Sequence, residues 1–178
     1  MRYFIMTKTN YYIKLFITNL GKYNEGELIG KWVSLPIEDL DEVLEEIGIN
    51  EEYEEYFITD YETNVAGLDI GEYDDIDMLN DIAEQIETLD DDEIEIIDAF
   101  LQEGYDFEYA IDNMDDVIVY PDCSDMTDVA YEYVNETGLL DSIPDHLQNY
   151  FDYESFGRDM GYEGQFIFTD RGNCIQIL

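Results

Sequence analysis

Apolar and polar residues alternate in the first part of the chain, which is the pattern of β-strands. Residues 12–20 alternate loosely and are rich in Ile, Phe and Tyr, and residues 27–35 continue the pattern after a turn at residues 21–26. Residues 56–59 have the composition of a third strand. The pattern predicts a small β-sheet in this region.

Between the second and third predicted strands, the apolar period lengthens to that of a helix. Pro36 favours a helix start and Gly48 favours its end. Apolar residues three and four positions apart form one stripe, while acids occupy the outward faces. This stripe consists of Ile37, Leu40, Leu44 and Ile47.

The middle of the chain has helical periodicity. Residues 64–73, with Gly67 and Gly71, carry a modest linker signal. Beyond them, two apolar stripes predict two helices separated by an acidic turn at residues 90–92, and residues 108–114 predict a short third helix. The stripes are Ile76, Leu79, Ile82, Ile86 and Leu89, then Ile94, Ile97, Phe100 and Leu101.

The last third of the chain mixes both periods. Residues 117–120 predict a strand, and Ser124 is the predicted cap of a helix that ends at Gly138. Pro144 predicts the start of another helical stretch, through residue 159. Residues 165–169 and 174–178 predict a closing hairpin.

These elements predict an α+β fold of three consecutive units. Residues 12–62 would form an N-terminal sheet with one helix, and residues 63–115 a helical middle unit. Residues 116–178 would form a C-terminal α+β unit. The chain contains 46% hydrophobic residues, including 16 Tyr, 9 Phe and Trp32, so it has ample material for a folded core.

The net charge of the chain is the sequence feature that bears most directly on function. The formal net charge is −39, with 46 acids against 7 Lys and Arg. No acid precedes Glu25, and residues 32–157 contain no Lys or Arg. A charge this far beyond what solubility requires repels itself and weakens the compact state. We therefore expect the chain to use its negative field on a basic partner.

Catalytic chemistry is not indicated. With 46 carboxylates, some pairs lie within catalytic distance by chance, so such pairs carry no evidence for a glycosidase-like site. His146 is the only histidine, and no nucleophile motif accompanies it, so we expect a surface or capping role. The sequence predicts no enzyme and no cofactor.

Metal binding is not predicted either. Residues 152–163 have the glycine and glutamate spacing of a calcium loop, but Phe156 stands where a ligand oxygen is required. Cys123 and Cys174 match no metal spacing and no disulfide framework, so both are expected as reduced, semi-buried thiols.

Composition also limits the partners. The absence of a basic, aromatic-studded patch and of a phosphate-cradling loop excludes a nucleic-acid binder. The apolar patch at residues 3–6 is too short for a membrane span or a secretory segment, so we expect a cytoplasmic protein without membrane contact.

The acids themselves are the candidate site. Duplex DNA carries one negative charge per about 1.7 Å of axis, so a net charge of −39 matches roughly 65 Å of duplex, and a dimer matches roughly 130 Å, or about 40 base pairs. The predicted acidic surface comprises Glu38, Asp41, Glu42, Glu45, Glu46, Asp75, Asp81, Glu84, Glu87, Asp91, Asp92, Glu95, Asp112, Asp115 and Asp116.

Several segments resemble one protein family. They are residues 19–28 (NLGKYNEGEL), 53–56 (YEEY), 60–62 (DYE), 140–144 (LDSIP) and 149–159 (NYFDYESFGRD). In this order they resemble the ArdA antirestriction proteins, over a stretch from about residue 13 to the C-terminus. Residues 1–12 extend before the usual family start and are assigned no role.

The resemblance implies an elongated three-unit protomer, dimerised through its C-terminal unit. Such proteins mimic bent B-form DNA, occupy the DNA groove of type I restriction-modification enzymes and are carried on mobile genetic elements. The last segment carries over as the antirestriction motif. Its members are Asn149, Tyr150, Phe151, Asp152, Tyr153, Glu154, Ser155, Phe156, Gly157, Arg158 and Asp159.

Two alternatives stay open at this point. Four aromatic residues of the antirestriction motif favour a structural role over contact with the enzyme, because aromatic clusters pack more often than they recognise. For the whole protein, the alternative to a DNA mimic is an acidic inhibitor or chaperone of another basic DNA-binding protein.

Overall fold

The computed structural model of the protein describes residues 9–178, so residues 1–8, including the apolar patch at residues 3–6, lie outside the described part. Within the described residues the chain has eight helices and six strands. In chain order they are β1 (Ile13–Asn19), α1 (Leu20–Asn24), β2 (Gly30–Ser34), α2 (Leu40–Glu46), β3 (Tyr56–Thr63), α3 (Ile76–Thr88), α4 (Asp91–Gln102), α5 (Phe107–Asn113), β4 (Val117–Tyr120), α6 (Met126–Thr137), α7 (Asp145–Gln148), α8 (Tyr153–Glu163), β5 (Gln165–Phe168) and β6 (Cys174–Ile177).

The architecture is α+β, as predicted, with one small sheet in the N-terminal part of the sequence, one in the C-terminal part and helices between them. The chain divides into two compact units, one ending at Ile94 and the other spanning Glu95–Leu178. This boundary falls inside α4. The three-unit organisation stays a prediction. Among residues 9–178, no helix combines the length and apolarity needed to cross a membrane.

The first sheet has the strand order β2-β1-β3, and both pairings are antiparallel. Its central strand buries Ile13, Leu15 and Ile17 on one face, because alternate residues of a strand point the same way. The third strand extends four residues beyond its predicted end, to Thr63. The predicted turn at residues 21–26 begins as α1, because the Asn19 side chain caps it by accepting from the Lys22 N–H at 3.0 Å.

Helix α2 starts later than predicted. Its cap is Asp39, whose carboxylate accepts from the Glu42 N–H at 3.0 Å, so the helix begins at Leu40 rather than at Pro36. It buries Val43, and the following Ile47 is also buried. The predicted stop at Gly48 agrees with its positive φ of 80°.

The helices in the middle of the chain follow their apolar stripes. Helix α3 buries Ile76, Leu79, Ala83 and Ile86, and α4 buries Ile94, Ile97 and Phe100. The acidic turn contains the cap of α4, since Asp90 accepts from the N–H groups of Asp92 and Glu93. Helix α5 was predicted to within one residue.

The second sheet has the order β4-β6-β5, with antiparallel pairing throughout. The predicted strand at residues 117–120 and the predicted hairpin are both present. Helix α6 ends at Gly138 as predicted, but its cap is Asp125 rather than Ser124. The single helical stretch predicted from Pro144 is two helices, because Asp152 caps a new helix at Tyr153.

Candidate functional site

Most of the predicted acidic surface is exposed. Thirteen of its fifteen members have exposed side chains, namely Glu38, Asp41, Glu42, Glu45, Glu46, Asp75, Asp81, Glu84, Glu87, Asp92, Asp112, Asp115 and Asp116. Asp91 is half-buried and accepts from the backbone N–H of Thr9 at 3.1 Å. The apolar stripes that fold each helix therefore leave its carboxylates on the solvent side.

Glu95 is the exception, and its predicted surface position is wrong. Its side chain is only 7% exposed, and both carboxylate oxygens accept from Asn173 Nδ2 at 3.1 Å. The Thr169 hydroxyl also donates to it, and Arg171 Nη1 lies 3.8 Å away. Glu95 thus holds the turn between β5 and β6 against α4, and its charge is satisfied inside the protein.

Several acids act as helix caps, which the sequence analysis did not recognise. Aspartates cap α2, α3, α4, α5, α6 and α8, where their carboxylates accept backbone N–H groups at the positive end of the helix dipole. The signal was present in the sequence, as an Asp immediately before each helical stretch. The residues are Asp39, Asp75, Asp90, Asp106, Asp125 and Asp152.

The other ends of these helices are electrostatically unfavourable. None of α2, α3, α4, α5, α6 and α8 has a basic residue in its last turn, although a cation there would complement the dipole. Helix α2 instead ends with Glu45 and Glu46. The chain therefore forgoes a common source of helix stability and keeps its surface negative.

Positive charge is locally neutralised. In residues 9–178, each Lys and Arg lies within 4 Å of a carboxylate. Lys22, for example, contacts Glu25 at 3.0 Å and donates to the Tyr53 hydroxyl, and these hydrogen bonds raise the pKa of Lys22 and lower that of Glu25. The cations add no positive patch to the surface.

The antirestriction motif lies at the start of α8. Phe151 makes edge contacts with Tyr153 and Phe156, with ring centroids 4.9 and 5.3 Å apart. Tyr131 and Tyr133 of α6 pack against Tyr153 and Phe156, respectively. These aromatic residues therefore join α8 to α6.

Gly157 completes the packed side of the motif, and the exposed Asp152 caps α8. A Cβ at Gly157 would collide with the Met126 carbonyl oxygen and lie 3.2 Å from Ala130 Cβ, so α6 and α8 approach too closely for any other residue. Asp152 accepts from the Ser155 N–H at 3.0 Å, which lowers the pKa of Asp152. Its contribution to stability is therefore present above the pKa of an unfolded carboxyl and is lost as the pH falls through the folded value.

The remaining motif residues face solvent. Tyr150 is 84% exposed, and Arg158 pairs with its neighbour Asp159 at 3.3 Å. Asn149 and Glu154 are also exposed. The motif therefore has a packed side and a solvent side.

Since residues 153–163 are helical, the segment does not form a twelve-residue calcium loop.

The two cysteines are free, and both are fully buried rather than semi-buried as predicted. Both belong to a core cluster with Tyr120 and Val129. Burial raises the pKa of Cys174 to about 12 and also raises that of Cys123. His146 is exposed on α7. Among the described residues, no group of three His, Cys, Asp or Glu side chains is arranged to hold a metal ion.

Fold and surface together define an acidic α+β protein whose distinctive chemistry is a carboxylate surface. The chain belongs to the antirestriction protein (ArdA) family, because the model of that family matches residues 15–174 of its 178 residues. The resemblance seen in the sequence is thereby confirmed, and the protein is an antirestriction protein. No curated protein matches the sequence.

Crowded carboxylates predict a salt-dependent stability. We expect the melting temperature at pH 7 to rise by several degrees between 0.05 and 1 M NaCl, because the Debye length falls from above 10 Å to about 3 Å and repulsion within the folded state is screened. Thermal melts followed by circular dichroism measure this. Glucose at equal osmolality is the control, and a melting temperature that stays flat or falls with NaCl would contradict the prediction.

The close crossing of α6 and α8 predicts opposite effects for two glycines of one helix. Gly157→Ala should lower the free energy of unfolding by about 1–3 kcal/mol, because its methyl group has no space. Gly161→Ala meets only the flexible Met126 side chain at 3.4 Å, and should be neutral or stabilising by up to about 1 kcal/mol. Urea denaturation measures both, and equal stability of the two variants would disprove the close crossing.

Proposed function

We propose that the protein is a DNA mimic that occupies the DNA-binding groove of a type I restriction-modification enzyme and thereby inhibits it. The observation that carries the proposal is the array of exposed carboxylates on folded helices, from a stretch of sequence without Lys or Arg. Membership of the antirestriction family supplies the class of target. Inhibition by occupancy requires no reaction by the inhibitor.

The spacing of acids on α3 supports this proposal. Asp77, Asp81, Glu84 and Glu87 are exposed and follow one another at three or four residues, so neighbouring carboxylates lie on adjacent positions of the helix surface. At 1.5 Å per residue, the four acids span about 15 Å of helix axis. Phosphates in one DNA strand are about 3.4 Å apart along the duplex axis and these acids about 5 Å, so the helix reaches roughly two thirds of the linear charge density of one strand.

The fixed positions of the carboxylates also support the proposed DNA mimicry. The apolar core and the aspartate caps hold the helices in place, so the carboxylates stay close despite their repulsion. An enzyme groove that binds phosphates through Lys and Arg meets these fixed charges without having to order them, and electrostatic attraction accelerates the encounter. We propose that this occurs in the cytoplasm, where the protein, encoded by a mobile genetic element, protects incoming DNA.

We further propose a homodimer formed through the C-terminal third. Five large apolar side chains between residues 131 and 150 are exposed. A second copy of the chain carries the same net charge of −39, so an apolar contact is the favourable way for two copies to associate. The exposed apolar residues are Tyr131, Leu139, Ile143, Leu147 and Tyr150.

Competition with DNA is the direct test of the proposed function. We expect the protein to displace labelled DNA from a purified type I enzyme, with an inhibition constant that rises at least about tenfold between 50 and 200 mM NaCl, because the contacts are largely ionic. Fluorescence anisotropy of the DNA measures both effects. Simultaneous binding of DNA and protein to the enzyme would contradict DNA mimicry and favour an acidic inhibitor acting elsewhere.

The acidic surface predicts a graded response to neutralisation. Asp81→Asn, Glu84→Gln and Glu87→Gln should each weaken inhibition less than about fivefold, because single exposed charges are screened. The triple variant should lose at least tenfold. The matched control is Glu51→Gln, Glu52→Gln and Glu54→Gln, which removes equal charge outside the predicted surface and should have a smaller effect. Complete loss from one single variant would indicate a discrete site instead.

The dimer proposal predicts that one added charge separates the two copies. Leu147→Asp should convert a dimer of micromolar protein into a monomer, because it places a desolvated charge in an apolar contact. Sedimentation velocity measures the mass. Tyr73→Asp, which changes an even more exposed apolar residue of the N-terminal unit, is the control that should leave the dimer intact. A monomeric wild-type protein would refute the proposal.

A further inference from the structure

One face of the first sheet carries an aromatic pair that the acidic surface does not explain. Trp32 of β2 lies directly opposite Phe16 of β1, and their ring centroids are 5.4 Å apart with planes tilted by 54°. Trp32 is the only tryptophan of the chain and is 41% exposed. Tryptophan is enriched among the residues that contribute most to binding at protein interfaces, which makes this exposed ring a candidate contact.

The aromatic pair continues into a carboxylate. Phe16 is also paired with Asp60 of β3, beside a β-bulge at which Thr59 is the extra residue of β3, and paired residues of an antiparallel sheet lie on the same face. Trp32, Phe16 and Asp60 therefore form one row across all three strands. Asp60 is exposed, and one of its oxygens accepts from the Tyr61 N–H at 2.9 Å, which orients the carboxylate.

Gly30 keeps the aromatic surface open. It lies two residues before Trp32 and so on the same face of β2. A Cβ at this position would come within 2.9 Å of Phe16 Cε1 and 2.7 Å of the Ile17 carbonyl oxygen. The Phe16 ring therefore lies over bare backbone, and a larger residue would push it away from its place beside Trp32.

The neighbouring row contributes no competing positive charge. Lys14 is directly opposite Glu62 and pairs with it at 3.3 Å, and its ammonium group lies 5.1 Å from the Tyr12 ring centroid. A second cation, Lys22, lies 4.3 Å from the Tyr53 ring centroid. Two cations of this chain thus lie over tyrosine rings, whereas within residues 9–178 no cation lies over Trp32 at such a distance.

An aromatic surface beside a fixed carboxylate fits a guanidinium group. Arginine stacks its planar guanidinium on tryptophan and offers two parallel donors to a carboxylate, whereas an ammonium group is a point charge that neither stacks as a plane nor donates through a bidentate fork. A nucleobase would also stack, but the net charge of −39 repels nucleic acid. Arginine is also a preferred residue of surfaces that bind DNA phosphates.

We propose that Trp32, Phe16 and Asp60 form a docking site for an arginine side chain of the enzyme's DNA-binding surface. This inference rests on the proposed function and adds to it a defined contact. A field of many carboxylates attracts a basic groove but fixes its position weakly, whereas one stacked and hydrogen-bonded arginine sets the register of the complex. The N-terminal sheet then orients the acidic helices within the groove.

The first experiment measures inhibition of a type I enzyme by variants of the intact protein. Trp32→Leu should weaken inhibition about tenfold and Asp60→Asn about threefold to tenfold, as expected for loss of a partly desolvated cation–π contact and of its carboxylate. Trp32→Phe should lose less than about threefold, because it keeps an aromatic face. Tyr73→Leu, which removes a 74% exposed ring of the same unit, should inhibit as the wild type does.

The second experiment does not need the enzyme. Because Trp32 is the only tryptophan, its fluorescence reports on this site alone. Hexaarginine should change the emission at lower concentration than hexalysine, at equal ionic strength, and Asp60→Asn should remove the difference. The two peptides carry equal charge, so attraction to the acidic surface in general cancels in the comparison.

The outcomes separate this inference from the proposed function. If the wild type competes with DNA but Trp32→Leu inhibits equally well, or if the two peptides behave alike, the docking site is refuted and DNA mimicry stands. If Trp32→Phe loses as much as Trp32→Leu, the role of Trp32 is packing and the inference fails. If the wild type does not compete with DNA, the proposed function fails, and the peptide comparison still decides whether the site prefers arginine.

Discussion

Repulsion among carboxylates is the constraint on which the rest of this structure depends. The chain must bring acids together on helix surfaces, where like charges three and four residues apart cost a few tenths of a kcal/mol per pair. Two features offset this cost. Helices α3, α4 and α6 each bury an apolar stripe, and six helices begin at an aspartate whose charge the helix dipole stabilises. The acids thus destabilise the folded state by repelling one another, and some of them also stabilise it as helix caps.

Hydrophobic periodicity predicted most of this fold, because the energetics of helices such as α3 and α4 are dominated by one apolar stripe. The predicted α+β class and the terminal hairpin were also confirmed. Helix starts were less accurate. A proline or serine in the sequence was taken as the start of α2 and α6, whereas Asp39 and Asp125 make the capping hydrogen bonds. Capping is decided by local geometry that periodicity does not contain.

The burial of Glu95 could not be predicted from the sequence pattern. In the sequence, Glu95 belongs to an acidic run at the start of α4, and the helical pattern does not distinguish it from the exposed Asp92 in the same run. Its partners Thr169 and Asn173 are 74 and 78 residues away in sequence. Only the tertiary fold brings them together. Whether an acidic residue in such a run lies on the surface or makes an internal contact therefore depends on the elements that pack against its helix.

The antirestriction motif shows how a family signature can record two kinds of constraint. Phe151, Tyr153, Phe156 and Gly157 hold α8 against α6, so substitution there acts first on the fold. Tyr150 and Asp159 lie on the solvent side of the same segment, where substitution leaves the packing of α8 against α6 unchanged. Loss of activity on mutating the motif therefore has a different meaning on each side.

The position of β6 at the centre of the second sheet has a consequence for biosynthesis. Tyr120 at the end of β4 hydrogen-bonds to Gln176 of β6, 56 residues later. At about 5–20 residues per second, a ribosome takes roughly 3–11 s to make the intervening chain. During that time β4 has no strand to pair with and the nascent chain exposes its future core. Its dense negative charge, by repelling other nascent chains, then protects the polypeptide from aggregation before it protects any DNA from restriction.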